Sequence, residues 1–142
     1  MFKKIFLTGG TGFVGTEILK ELVGYKYKIK ILTHKQNIKI SSSLIEPVDG
    51  DVTDLKSFVN DVKGYDEIIH LVGIIREIPW RGITFERLHV EATKNIITAA
   101  KQNKIKRFVH MSANGAKPKG TKYETTKYRA EQLVRNSGLT YT

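Results

Sequence analysis

The chain has 142 residues, with 24 Lys+Arg against 14 Asp+Glu, no Cys and 40% hydrophobic residues. That length suits one domain with its own core, and a two-domain enzyme is not expected to be complete within it. Without cysteine a disulfide framework, a thiolate nucleophile and a cysteine zinc site are excluded, which fits a cytoplasmic location; the net charge of +10 asks for an anionic partner and does not choose between nucleic acid, an acidic membrane surface and a phosphorylated small molecule.

Lys3 to Thr8 is a short apolar run of strand formers, and glycines follow it. Phe13 to Val23 then carries apolar residues at Val14, Ile18, Leu19, Leu22 and Val23, the spacing of an amphipathic helix. Lys28 to Thr33 alternates and predicts a second strand, Leu44 to Val48 a third. Asp54 stands as N-cap of a short helix before Leu55, Phe58 and Val59, and Glu67 to Val72 is the continuous apolar run of a buried parallel strand. A long helix is expected from Thr84 to Asn103, a strand over Arg107 to Met111 and a helix over Lys122 to Asn136. A strand begins at Leu139 and is not completed by Thr142. Alternating strands and helices predict an α/β, doubly wound parallel sheet of order 3-2-1-4-5, with a ligand at the switch between strands 1 and 4. The longest apolar stretch, Ile68 to Ile75, is broken by His70 and falls short of the roughly 20 residues of a membrane span. Ile5-Phe6-Leu7 after Lys3-Lys4 is too brief for an export signal.

Thr8-Gly9-Gly10-Thr11-Gly12-Phe13-Val14-Gly15 lies between the first strand and the first helix. Glycines at 9, 12 and 15 allow a tight turn, close approach of backbone to a pyrophosphate, and close packing of helix on strand. The helix N-terminus then offers N–H donors to the phosphates. The loop lacks the Gly-Lys-Ser/Thr ending of a P-loop, which argues against ATP hydrolysis. Tyr123 and Lys127 form a second motif, Y-x-x-x-K, whose side chains share one helix face. A free tyrosine is a poor base near neutrality, and an adjacent ammonium favours its phenolate.

On these residues the chain resembles the extended and atypical short-chain dehydrogenase/reductase families, whose G-x-x-G-x-x-G spacing it matches. The resemblance implies a Rossmann-type NAD(P)-binding domain over residues 1–142, without the family's C-terminal substrate-binding part. It implies that Asp51 and Val52 of Gly50-Asp51-Val52-Thr53-Asp54 contact adenine; the alternative is that Asp51 only caps a turn. Leu71, Val72 and Gly73 would line the cofactor ribose, beside Gly9, Thr11, Gly12, Phe13, Val14 and Gly15 of the loop. After strand 2, Thr33-His34-Lys35 stands where NAD-specific members carry an acidic residue, so a 2′-phosphate, and NADP(H) over NAD(H), is expected.

By the same resemblance Tyr123 is the general acid/base and Lys127 tunes it and holds the nicotinamide ribose. Ser112 or Asn114 would polarise a carbonyl or alcohol substrate, although Ala113 occupies the family's usual serine position. His89 replaces the Asn of the family's Asn-Val-x-Gly-Thr segment. With Val72-Gly73-Ile74-Ile75-Arg76-Glu77 and Arg81 to Arg87, these departures are similar to bacterial proteins resembling the nucleotide-binding accessory subunit of respiratory complex I, in which the nucleotide is structural. Three readings follow: an oxidoreductase, a nucleotide-stabilised accessory or assembly protein, and a nucleotide-sugar epimerase/dehydratase, the last disfavoured by Ala113 and His89. The helices from Thr84 and Lys122 match those that pair protomers in relatives, so a homodimer or respiratory-complex association is expected.

His34, His70, His89 and His110 are scattered, and core or cleft histidines are expected rather than a metal site. Trp80 either belongs to a lid or covers the core. The clusters Lys101 to Arg107 and Lys117 to Lys122 hold one aromatic neighbour, Tyr123, so nucleic-acid binding is disfavoured against a solvated surface, and peripheral contact with an acidic membrane ranks between them.

Overall fold

The computed structural model describes residues 2–142. Six strands, β1 (Lys4–Thr8), β2 (Lys28–Thr33), β3 (Ile45–Asp49), β4 (Glu67–His70), β5 (Arg107–His110) and β6 (Thr140–Tyr141), form one parallel sheet of order β3-β2-β1-β4-β5-β6. Helices α1 (Phe13–Gly24), α2 (Ala92–Gln102) and α3 (Lys122–Arg135) cover it. The expected 3-2-1-4-5 order is present, and the segment after Leu139 adds a sixth strand, pairing Phe108 with Tyr141. The chain has the Rossmann-like α/β fold.

Because side chains alternate across a strand, the central strands feed two cores. Phe6, Ile68 and Phe108 meet Phe58, Ile96 and Val134 beneath α2 and α3. Ile5, Leu7, Ile29 and Ile31 meet Leu19 and Leu22 of α1. Each such fully buried side chain contributes about 2 kcal/mol of transfer free energy. Gly9 and Gly15 set how closely loop, helix and sheet approach. Gly9 is left-handed at φ +75, and an added Cβ would lie 2.7 Å from the Leu71 carbonyl carbon. On Gly15 it would lie 2.0 Å from the Gly9 carbonyl oxygen.

Three elements depart from their expected form. β4 ends at His70 rather than Val72: Leu71 N makes the last rung to the Thr8 carbonyl, and beyond it the β1 and β4 chains part around the crevice. The helix expected from Thr84 begins as a π-helical segment, Glu86–Glu91, in which Ala92 N donates to the Arg87 carbonyl five residues back. Thr93 Oγ1 donates to the His89 carbonyl at 2.6 Å, the acceptor that its own N–H would use in an α-turn. The helix after Asp54 is two 3₁₀ turns, Leu55–Ser57 and Val59–Val62, the first capped by Asp54 accepting from Lys56 N. Trp80 is 86% exposed on the long connection after β4, so it does not cover the core.

Candidate functional site

At the carboxyl ends of β1 and β4 lies a crevice of about 410 Å³, walled by Gly9, Thr11 and Gly12 on one side and by Leu71, Val72 and Gly73 on the other. His34 and Gln36 close it beyond β2, Asp51, Val52 and Thr53 beyond β3. Arg81 and Arg87 flank it on the long connection and the π-helical segment. The Gly12 N-cap of α1 carries no side-chain cap, so the first amides of the helix remain available to an anion. A Cβ on Gly12 would meet only the Gly9 carbonyl oxygen, at 3.4 Å, so backbone borders the open crevice there. Phe13, 93% exposed, and Val14 turn their side chains to solvent, and neither is among the residues that wall the crevice.

The adenine-side turn is a built structure. Thr53 donates its N–H and hydroxyl to one Asp51 oxygen, at 2.8 and 2.7 Å. Arg87 donates to Thr53 Oγ1 at 2.9 Å and to the Gly82 carbonyl at 3.0 Å. Burial alone would raise the Asp51 carboxyl, but the Thr53 hydrogen bonds and the charges of His34 and Arg87 hold it below its ordinary value. Asp51 therefore caps the turn through Oδ1 while standing in the crevice wall.

Beyond β2 the geometry corrects two expectations. Thr33 is buried and its hydroxyl donates to the Val48 carbonyl, so it serves the sheet. Lys35 takes a left-handed conformation, φ 53, in which its N–H donates to Asp49. His34 and Gln36, on either side of it, line the crevice in its place. Gln36, missed in the sequence, is hydrogen-bonded to Thr11 across the crevice floor. Only the spatial closure of the glycine loop onto the end of β2 gives it a role.

At the other end, Lys127 is buried, and its Nζ donates to the Met111 carbonyl at 2.8 Å. A Cβ on Gly73 would sit 3.6 Å from that Nζ and 3.8 Å from His89 Nε2, so both groups border the crevice wall. Burial pushes the Lys127 ammonium below its ordinary value, and the Glu131 charge offsets part of the shift. Tyr123, one turn earlier on α3, packs edge-on against His89 and Phe85, with centroids 5.4 and 5.6 Å away. The α3 helix starts on a capping box: Thr121 Oγ1 accepts from Glu124 N while the Glu124 carboxylate accepts from Thr121 N. Ser112 departs from its expected position, since its hydroxyl donates to Glu131 rather than facing the crevice.

His89 lies against the Ile74 backbone through Nε2, 3.2 Å from N and 3.1 Å from O, and Thr126 Oγ1 through Nδ1 at 2.9 Å. Burial, and then the Lys127 charge, lower it to about 4. Thr8, His70 and His110 lie side by side across β1, β4 and β5. His70 is fully buried between Thr8 Oγ1, at 2.6 Å, and Thr93 Oγ1, at 3.2 Å. The Thr93 hydroxyl is directed to the His89 carbonyl, so Nε2 of His70 donates to Thr93 and Nδ1 accepts from Thr8. Burial holds His70 well below its ordinary value, that is, neutral.

A family model described as NAD(P)H-binding matches residues 9–142. The chain belongs to this NAD(P)H-binding family. It is 27% identical over 135 residues to the mitochondrial NADH-ubiquinone oxidoreductase 40 kDa subunit of Neurospora crassa, covering 90% of this chain and 36% of that protein. It is also 27% identical over 117 residues to a 3-beta-hydroxysteroid dehydrogenase of Mycolicibacterium neoaurum, covering 78% of this chain and 32% of the other. In fold it is similar to the Bordetella bronchiseptica enzyme WbmH in complex with NAD+, with TM-score 0.83, 21% identity, and 99% of this chain and 55% of that one covered. A mutated uronate dehydrogenase gives TM-score 0.82 at 22% identity, with 99% of this chain and 57% of that one covered. The chain thus spans about a third of the length of these curated relatives and just over half of these solved structures. The expected NAD(P)-binding Rossmann domain, with relatives among dehydrogenases and complex I subunits, is what these comparisons support. No helix among the described residues is long and apolar enough to cross a membrane.

Proposed function

We propose that the chain is the cofactor-binding half of a short-chain dehydrogenase/reductase that prefers NADP(H) and transfers hydride to or from a carbonyl or alcohol carbon. The observation that carries this reading is the buried Lys127 ammonium bordering Gly73 at one end of the glycine-walled crevice, with Tyr123 on the same helix face. The glycine loop and the free amides of α1 suit a pyrophosphate, Asp51 and Val52 an adenine, and Lys127 a ribose hydroxyl. When bound, the cofactor supplies or accepts the hydride.

The chain's own residues handle the proton. Tyr123 donates it to, or removes it from, the substrate oxygen, with the Lys127 ammonium one turn further along the same helix face to hold the ribose. His89 and Phe85 hold the Tyr123 ring by its edges. Ser112 can polarise the substrate oxygen only by leaving Glu131, which makes it a weaker candidate than the sequence suggests. The preference for NADP(H) rests on His34 and Gln36 standing in the wall beyond β2, where an NAD-selecting carboxylate would be; Asp49 is engaged with Lys35 N.

Tyr123→Phe tests the chemistry: turnover with a carbonyl panel should vanish while NADPH affinity stays within about twofold, since the phenol acts on substrate. An unchanged rate removes the mechanism. Separate calorimetric titrations with NADPH and NADH test the preference, and equal affinities would refute it. The likeness to the Neurospora crassa subunit favours one second reading, a nucleotide-stabilised accessory protein without turnover, alone as a homodimer or within a respiratory assembly. That reading expects slow cofactor release, a large rise in Tm with NADPH and no NADPH consumption.

A further inference from the structure

The fold separates the two lysine clusters that the sequence shows as neighbours. Lys117, Lys119 and Lys122 lead into α3 at the crevice end of the sheet, whereas Lys101, Lys104, Lys106 and Arg107 lie at the opposite end, where parallel strands begin. There they join residues distant in sequence: Lys3 and Lys4 entering β1, and Lys26 and Lys28 entering β2, whose starts are in register at Lys4 and Lys28. The acidic groups at this edge include Glu21, Asp66 and Glu67, and beside them Glu46 and Asp61 are both paired with Lys30. Glu67 is buried between Lys3 and Arg107, and Asp66 accepts from Lys4 N. Among the described residues, Lys4, Lys26, Lys28, Lys104 and Lys106 form no ion pair and are exposed.

Backbone geometry marks the same edge. The turns entering β2, β4, β5 and β6 each contain a left-handed residue: Lys26 (φ 59), Gly64 (φ 82), Lys104 (φ 58) and Gly138 (φ 79). Glycine takes that conformation without steric penalty and is the usual residue there. Two of the four turns instead hold lysine, in spite of the strain. Exposed aromatics stand among these cations: Phe2 is 57% and Tyr25 67% exposed, with Tyr25 stacked on Tyr27 and Lys3 over the Tyr27 ring.

We infer that the edge where the strands begin is a docking surface for an anionic lipid bilayer, with the nucleotide crevice turned away from it. Lysines held at the ends of a rigid sheet interact with acidic headgroups within a Debye length, and aromatic side chains among them suit the headgroup level. The aromatics favour a bilayer over a duplex, whose backbone would engage the lysines alone. This inference goes beyond the nucleotide reading and does not depend on it.

The test is co-sedimentation of the protein with phosphatidylcholine vesicles, with and without 30% phosphatidylglycerol, at about 50 and 300 mM NaCl. Binding should require the anionic lipid and weaken at least tenfold at the higher salt. In Lys26→Gly/Lys104→Gly, removal of two cations, each contributing about fivefold at low salt, should cost at least tenfold in vesicle affinity. Relief of the left-handed strain should meanwhile raise Tm by about 3 °C, so lost binding cannot be lost folding. The affinity for NADPH should stay within about twofold in the variant. Brominated lipid should quench the emission of Tyr25→Trp while leaving that of the native Trp80, at the crevice end, unchanged. Binding to neutral vesicles of equal strength, an unaffected double-glycine variant, or quenching of Trp80 instead would overturn the proposal. So would tighter binding to a duplex oligonucleotide that the same variant weakens, which would assign the edge to nucleic acid.

Discussion

Replacing Gly12 and Gly15 in turn by Ala separates a glycine required by the ligand from one required by the fold. On Gly15 the new methyl would lie 2.0 Å from the Gly9 carbonyl oxygen and 2.7 Å from Gly10 Cα, both backbone, so the loop or the helix must move. Overpacking of that kind costs about 3 kcal/mol, or about 9 °C in Tm for a chain of this size. On Gly12 the methyl meets nothing nearer than 3.4 Å, and φ −74 suits alanine, so only the weaker N-cap preference is lost, about 0.5 kcal/mol or 2 °C. Binding should show the reverse contrast. On the proposed reading the Gly12 methyl stands where a phosphate would approach the free amides of α1, and losing one charge-assisted hydrogen bond there costs about 2 kcal/mol, roughly 30-fold in Kd. Thermal melts read both quantities at once. NADPH at 100 times the parent Kd should raise the parent Tm by about 8 °C and that of Gly12→Ala by about 3 °C. A Gly12→Ala protein that keeps the full shift refutes the loop as the phosphate cradle, and a Gly15→Ala protein as stable as the parent refutes the packing argument.

Other expectations follow from single groups. His89 is held near 4 in the fold against about 6.5 when unfolded, so the stability tied to its neutral form is complete above pH 6.5 and declines as pH falls from 6.5 to 4. In His89→Asn the loss of stability between pH 7 and pH 4.5 should be smaller by about 2.5 kcal/mol, read from urea midpoints; an identical acid limb would show that His89 is not the titrating group. Arg87→Met removes the two hydrogen bonds that join the Asp51 turn to Gly82, and should lower Tm by about 3–6 °C and weaken NADPH binding. Thr121→Ala breaks the capping box of α3 at a cost of about 1 kcal/mol, and Thr121→Ser should restore it, both measured by denaturant unfolding.

Most of the fold was legible because it repeats a local rule. Apolar runs bounded by glycine and polar turns place β1, β2 and α1 within a residue or so of their observed bounds, and alternation with helices implies the parallel order. The glycine loop was readable because backbone requirements are written directly in residue identity. The ends of β4 and α2 were not, because what stops β4 at His70 is the parting of two chains around a crevice, and what widens the turn before α2 accompanies a hydroxyl bond from Thr93.

Residue identity alone was enough to read a Rossmann-type fold, a glycine loop between β1 and α1, and Tyr123 and Lys127 on one helix face. Those facts depend on neighbours in the chain. Which side chains line the crevice emerged from long-range contacts: Gln36 and His34 rather than Lys35, Arg87 behind Asp51, Glu131 holding Ser112. The tertiary structure also divided the basic residues between two ends of the sheet. Hydrogen-bond partners and charge neighbours join segments tens of residues apart, and a single left-handed residue such as Lys35 redirects the side chains that follow it. Periodicity carries no information about either.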